Sequence, residues 1–194
     1  MQPLLKKSGR SGIMFDTNIF NQILDDKIIL NSLPKNFIYY VTFVQKGEIE
    51  QTSDGDRRNK LLQIFKQIKQ KKISTETSLY GWGPYGEGKY GALGRLYPGI
   101  LKTIKQLDKK ARKKKKKENQ KRDALIGETC IVNKLILISN DSNFREAVKN
   151  FGGVAISFKD FLSQKRSSET PRPQGGASKT ILTALETFLP HDDT

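Results

Sequence analysis

GIMFDTNIF, Gly12 to Phe20, joins an apolar run to an acid and an amphipathic start. Ile13, Met14 and Phe15 read as a short buried strand that ends in the polar turn Asp16-Thr17-Asn18. Ile19, Phe20, Ile23 and Leu24 then recur at a spacing that places them on one face of a helix. The same unit returns near the other end of the chain, where LILIS from Leu135 is an almost wholly apolar strand. It ends at Asn140-Asp141, and a helix is expected from Ser142 to Asn150.

Between these two units FIYYV from Phe37 is rich in aromatic and branched residues and reads as a strand. Asp56 to Gln70 carries Leu61, Leu62, Phe65 and Ile68 along one helical stripe. Gly81 to Gly99, GWGPYGEGKYGALGRLYPG, is too rich in glycine and proline for regular structure and reads as a long surface loop. Ile100, Leu101, Ile104 and Leu107 restart a helix, which runs into a lysine-rich stretch. Asp123 is expected to open a helix lasting to Val132. After the Gly152-Gly153 turn come a strand, VAISF, and a short helix, KDFL. Strands that alternate with helices predict an α/β/α sandwich with a central parallel sheet.

The chain has 194 residues, enough for one substantial core with appendages. Residues 1–10 read as a basic tail, 11–162 as the folded domain, and 163–194 as a flexible linker with a short amphipathic helix. That last helix carries Ile181, Leu182, Leu185, Phe188 and Leu189, a stripe that should dock on its own chain, on a second copy or on a partner. There are 35 Lys and Arg against 20 Asp and Glu, a formal net charge of +15. Twelve of the basic residues against two acids lie between Leu101 and Arg122, so 12 − 2 = +10 of that charge sits in one segment. A polyanionic partner is implied, and the segment lacks the apolar face that a membrane-surface helix needs. One cysteine and one histidine exclude a disulfide framework and a Cys/His zinc site within the chain. No apolar run approaches the length of a membrane span, so a soluble, cytoplasmic protein is expected.

In an open parallel sheet the binding crevice lies beyond the carboxyl ends of the strands. Asp16 and Asp141 are each the first acid after a buried strand, so both should emerge on that edge. Asp123 directly precedes the strand bearing Asp141, and Glu48 follows the second strand, within reach of the same edge. Asp16 and Asp141 as simple helix caps are the bland alternative. Carboxylates gathered in one place repel unless a cation shares the site, and an all-oxygen donor set suits Mg²⁺ or Mn²⁺. Such ions can activate a water and stabilise the leaving oxygen of a phosphodiester.

MFDTNIF, YVTFVQKGEIEQT, KRDALIGETCI and LILISNDSNF follow the order and character of the motifs of PIN-domain ribonucleases, and the chain resembles that family from about Gly12 to Phe161. The resemblance implies a PIN-like fold and RNA cleavage by Mg²⁺ or Mn²⁺ bound to Asp16, Glu48, Asp123 and Asp141. Thr17, Asn18 and Ser139 match polar neighbours of those acids. Asn143 stands where many members carry a further acid. Glu50 competes with Glu48 for the second acidic role, which the alignment of EIEQT assigns to Glu48. Many members are toxins held inactive by an antitoxin, so an inhibitory protein partner is implied as well; others process cellular RNA or act in defence.

The lysine-rich segment, Arg112, Lys113, Lys114, Lys115, Lys116 and Lys117 with Lys121 and Arg122, is expected to bind the RNA backbone. Its bland alternative is a solvated run. Trp82 and Lys89 in the glycine-rich loop, with Tyr85 and Tyr90, are candidates for stacking on single-stranded RNA or for packing on the core. Gly83 to Lys89 imitates a phosphate-binding loop, but Tyr90 stands where that motif needs Ser or Thr. An aspartate-nucleophile phosphatase would need a second Asp at position 18, where the chain has Asn18. Glu128 reads as a surface residue or as a neighbour of the acids.

Overall fold

A computed structural model of the chain describes residues 11–79, 88 and 96–168. Strand β1 (Gly12–Phe15) leads into helix α1 (Thr17–Asp25), and β2 (Ile38–Val41) into α2 (Phe43–Glu50). Helix α3 (Gly55–Gln67) is followed by a two-residue strand, β3 (Lys71–Lys72). Helices α4 (Tyr97–Lys110) and α5 (Lys117–Val132) precede β4 (Ile136–Ile138), and α6 (Ser142–Asn150), β5 (Val154–Ile156) and α7 (Phe158–Ser168) complete the described chain.

The five strands form one parallel sheet in the order β3-β2-β1-β4-β5. Ile13 of β1 pairs with Tyr39 on one side and Ile136 on the other. Alternation along the central strands divides the core, as the pleat requires. Met14 and Leu137 join one apolar cluster with Ile100, Ile104, Leu125 and Phe144. Ile13, Phe15 and Ile138 join another with Ile19, Phe20, Leu61 and Phe161. The sheet is thus covered on both faces, the α/β/α sandwich expected from the sequence.

The parallel order reverses at the centre. From β1 the chain builds outward through β2 to β3, then returns to lay β4 against the free side of β1 and β5 beyond it. A crevice opens at such a switch point because the two connections leave on opposite sides of the sheet. Asp16 and Asp141 follow the two strands that flank it.

Several expectations are corrected. Asp123 does not open its helix: α5 begins at Lys117, and Asp123 lies in its buried interior. From Asp123 to Cys130 every residue of α5 is buried, so the helix runs through the core with apolar residues on all sides. Gly127 permits this, since a Cβ there would meet Val148 Cγ2 at 3.0 Å and Phe144 Cε2 at 3.1 Å. Helix α4 does not continue into the lysines but stops at Lys110, and it starts at Tyr97, with Pro98 in its first turn, inside the stretch expected to be loop. Strand β3 is additional, and α7 runs on to Ser168, past the boundary expected at Ser163. Glu128 is buried rather than on the surface, and its Oε1 accepts from the Tyr97 backbone N–H at 3.1 Å. Trp82, Tyr85, Lys89, Tyr90 and the C-terminal apolar stripe lie outside the described residues. Among the described residues no helix is long and apolar enough to cross a membrane.

Phe15 is the hub of the face opposite α4. Its ring meets Phe20, Tyr39, Phe158 and Phe161 edge-on, with centroids 6.1, 5.4, 5.9 and 5.8 Å away. Phe161 is 1% exposed and holds α7 against this cluster and Phe37. Truncation leaves a cavity that the rigid ring packing cannot close. Phe161→Ala is therefore expected to lower stability by about 3–5 kcal/mol, read as a shift of the urea midpoint without change in the slope.

Candidate functional site

Asp16 occupies the N-cap position of α1, yet its side chain makes no capping hydrogen bond. Its Oδ2 instead accepts from Ser139 Oγ at 2.6 Å and from Asn18 Nδ2 at 2.6 Å. Ser139 lies just past β4, and its Oγ also accepts from the Asp141 N–H at 3.1 Å. The ends of the two central strands are therefore tied through one hydroxyl, and the Asp16 N–H donates to Ile138 O at 2.9 Å. Asp141 does serve as a cap: its Oδ1 accepts from the N–H groups of Asn143 and Phe144 at 3.0 and 3.4 Å. Capping explains Asp141 in part and Asp16 not at all.

Glu48 reaches the same place from α2. Helix α2 is fixed by a capping box of Thr42 and Gln45, and Gln45 Nε2 donates to Phe15 O at 3.2 Å. That bond docks the helix on the end of β1. Glu48 Oε2 then accepts from Thr17 Oγ1 at 2.5 Å, and Oε1 faces Arg122 Nη1 at 3.4 Å. Glu50, the competing acid, is paired with Lys46 one turn back at 3.3 Å on an exposed surface. Asp123, 5% exposed, completes the set from the interior of α5.

The electrostatics follow from crowding. Burial pushes Asp16 up to about 6, against the Ser139 hydrogen bond, and the Glu48 charge adds to the rise. Burial also raises Asp123 well above the ordinary carboxylate range, with Asp16 as the next cause. Asp141 is half-buried, but hydrogen bonds from Lys113 and Lys115 overcome the burial and hold it at about 2. Lys115 Nζ bonds both Asp123 Oδ2 and Asp141 Oδ2, the latter at 2.9 Å, and Lys113 Nζ lies 2.9 Å from Asp141 Oδ1. Burial disfavours the Lys115 ammonium, but the charges and hydrogen bonds of Asp123 and Asp141 together more than offset this and raise its pKa. Four carboxylates meet three cationic heads: Lys113 and Lys115 pair with Asp141, Lys115 also with Asp123, and Arg122 with Glu48. The cluster holds more negative charge than its own lysines balance.

Behind the cluster stands an acid that no pattern in the sequence singles out. Asp108 on α4 is 2% exposed, accepting from Gln120 Nε2 at 2.8 Å and Asn143 Nδ2 at 2.9 Å. It joins α4, α5 and α6 behind Asp123 and Asp141. Isolated in sequence within a lysine-rich helix, it had no spacing signal. Outside the cluster, a groove of about 970 Å³ runs past Thr17, Glu48, Lys114, Lys116, Asn119 and Arg122. Arg112, Lys113, Lys114, Lys116 and Lys117 are exposed, while Lys121 and Arg122 are half-buried.

The donors available are carboxylate oxygens, which fit a hard divalent cation. Among the described residues no three His, Cys, Asp or Glu side chains are arranged to hold one ion. The Lys115 ammonium is the positive charge that stands between two of the acids.

No protein-family model matches the chain, and no curated protein does. Among solved structures it is similar to the crystal structure of FitAcB from Neisseria gonorrhoeae, with 14% identity, a TM-score of 0.34, and coverage of 74% of this chain and 96% of that one.

The raised Asp16 has a consequence for stability. The folded state holds a proton on this acid between 3.8, the ordinary aspartate value, and about 6, whereas the unfolded chain does not. Stability is thereby lost as pH rises through that window. In chelator, Asp16→Asn is expected to be more stable than wild type at pH 7 by roughly 1–3 kcal/mol. The difference should vanish below about pH 4 in urea titrations run at several pH values.

Proposed function

We propose that the chain is a divalent-metal-dependent ribonuclease that hydrolyses RNA phosphodiester bonds at the cluster of Asp16, Glu48, Asp123 and Asp141. The observation that carries this is the convergence of two deeply buried, mutually repelling carboxylates, Asp16 and Asp123, with Glu48 and Asp141 at the switch point of a parallel sheet. Buried acids without matching cations are costly, and a protein that keeps them at an open crevice needs positive charge there.

In this reading the four carboxylates hold Mg²⁺ or Mn²⁺, and such an ion supplies an activated water and charge stabilisation for an in-line displacement. Ser139 and Asn18 orient Asp16 through its Oδ2, and Thr17 orients Glu48. Asn143 acts further back, holding Asp108 and, through its N–H, Asp141. Lys114 and Lys116, exposed along the groove, draw the phosphate backbone past the acids without reading bases. The resemblance to PIN-domain nucleases supports RNA as the substrate and an antitoxin-like protein as the partner of this face.

A second reading, a basic RNA-binding protein on the same scaffold with little turnover, is favoured by one observation. Lys115 bridges Asp123 and Asp141 where a cation would be needed. The two readings separate on mixed RNA incubated with Mn²⁺ or with chelator. Asp16→Asn and Asp123→Asn are expected to fold and to lose Mn²⁺-dependent cleavage by at least about a hundred-fold. Absence of Mn²⁺-dependent cleavage in the wild type, with RNA binding kept, selects the second reading.

Backbone binding has its own signature. Lys114→Gln combined with Lys116→Gln should weaken binding about equally for unrelated single strands, and lower the slope of log affinity against log salt by about 1–2. Fluorescence anisotropy at several salt concentrations measures it, and an unchanged slope would show that these lysines only face solvent.

A further inference from the structure

The path of the chain from α4 to α5 is fixed by the backbone. Helix α4 ends at Lys110, Arg112 adopts a left-handed conformation with φ +53°, and the Lys113 N–H returns to Asp108 O at 2.9 Å. A residue other than glycine holds that conformation only where surrounding contacts compensate for it. The Lys113 backbone is therefore anchored at the end of α4, and α5 takes up the chain again at Lys117. Between these anchors residues 113–116, in neither helix nor strand, lie across the acid cluster. Lys113 and Lys115 turn their ammonium groups onto the acids, while Lys114, in alternation, is exposed and takes part in neither contact. Lys115 is the half-buried member of an otherwise exposed run.

From this we propose that the segment 113–116 is a built-in counter-cation for the acid cluster, competing with a divalent ion for Asp123 and Asp141 and released when a phosphate backbone takes up the lysines. The proposal rests on the metal-site reading above. Its logic is linkage: if the ammonium of Lys115 must leave for the ion to enter, anything that binds the freed lysine raises the affinity for the ion. The effect is reciprocal, so the ion raises affinity for the polyanion by the same factor. A nuclease built this way holds its metal weakly until substrate is on the segment.

The test is Mn²⁺ affinity, followed by the electron paramagnetic resonance of the free ion, for the full chain and for Lys115→Gln, Lys114→Gln and Asp16→Asn. Each is titrated alone and with a phosphorothioate oligoribonucleotide, whose own Mn²⁺ uptake is measured separately. Lys115→Gln should bind Mn²⁺ about ten-fold tighter than wild type, and Lys114→Gln no more than about two-fold tighter, since it removes only a general charge. The oligonucleotide should tighten Mn²⁺ binding several-fold in wild type and leave Lys115→Gln unchanged. Equal gains for the two lysine variants, or none for Lys115→Gln while Asp16→Asn still loses the ion, would overturn the counter-cation and leave the metal site standing. Wild-type binding no tighter than that of Asp16→Asn would remove the metal site and the counter-cation together. Lys115→Met, which keeps the apolar stem, repeats the comparison if the glutamine variant is poorly folded.

Discussion

An ionised carboxylate buried at the end of a strand, held by neutral donors and crowded by like charges, is the constraint around which this molecule is arranged. Asp16 is 5% exposed and is approached by Glu48 and Asp123, so its charge is opposed both by lost hydration and by like neighbours. Two neutral donors, Ser139 and Asn18, hold it in place but do not neutralise it. Glu48, docked through the Gln45 bond to β1, deepens that deficit. The lysine segment that bends back across the edge answers it in part, with Lys113 and Lys115 drawn to Asp141 and Asp123. A fold selected for stability alone would place an apolar or uncharged residue at position 16.

The sheet order explains why the deficit arises at this point. Parallel strands that run out to one side from β1 and then to the other from β4 leave a crevice between the two connections, into which the first residues after both strands project. Asp16 and Ser139 are those residues, and their hydrogen bond closes the base of the crevice. Helix α5 crosses behind it, buried along its length from Asp123 to Cys130, so Asp123 arrives from the protein interior rather than from a loop. Lack of side-chain freedom on all three elements makes the cluster rigid, as a site for charge stabilisation requires.

What the sequence disclosed follows the strength of local signals. The apolar runs before Asp16 and Asp141 and the helix from Ser142 to Asn150 were legible because the pattern and the flanking acid agree. Strand β3 was not, since two exposed lysines carry no strand pattern, and what makes them a strand is backbone pairing with β2. The start of α5 was misplaced because its first turn is charged and its apolar pattern begins only at Ala124. Glu48 over Glu50 was a matter of alignment in the sequence; in the fold the helix directs one to Thr17 and the other to Lys46. Lys115 was legible only as one of a run. Its inward turn depends on the left-handed residue at Arg112 and on the break between α4 and α5, neither of which leaves a mark in composition.

Asn143 shows how a single residue can serve two acids at once. Its side-chain amide donates to Asp108 Oδ1 while its backbone N–H donates to Asp141 Oδ1, so one residue serves a buried acid behind the cluster and a capping acid at its edge. A carboxylate at position 143 would face Asp108 in the same buried space and offer no donor in place of the lost amide. An acid at position 143 is thus incompatible with Asp108 as it stands here, where the buried carboxylate is held by Gln120 and Asn143. At the edge of the crevice Asp141 is met by lysines from the adjoining segment. With a neutral amide at position 143, the ammonium groups of Lys113 and Lys115 are the resident cationic partners of Asp141.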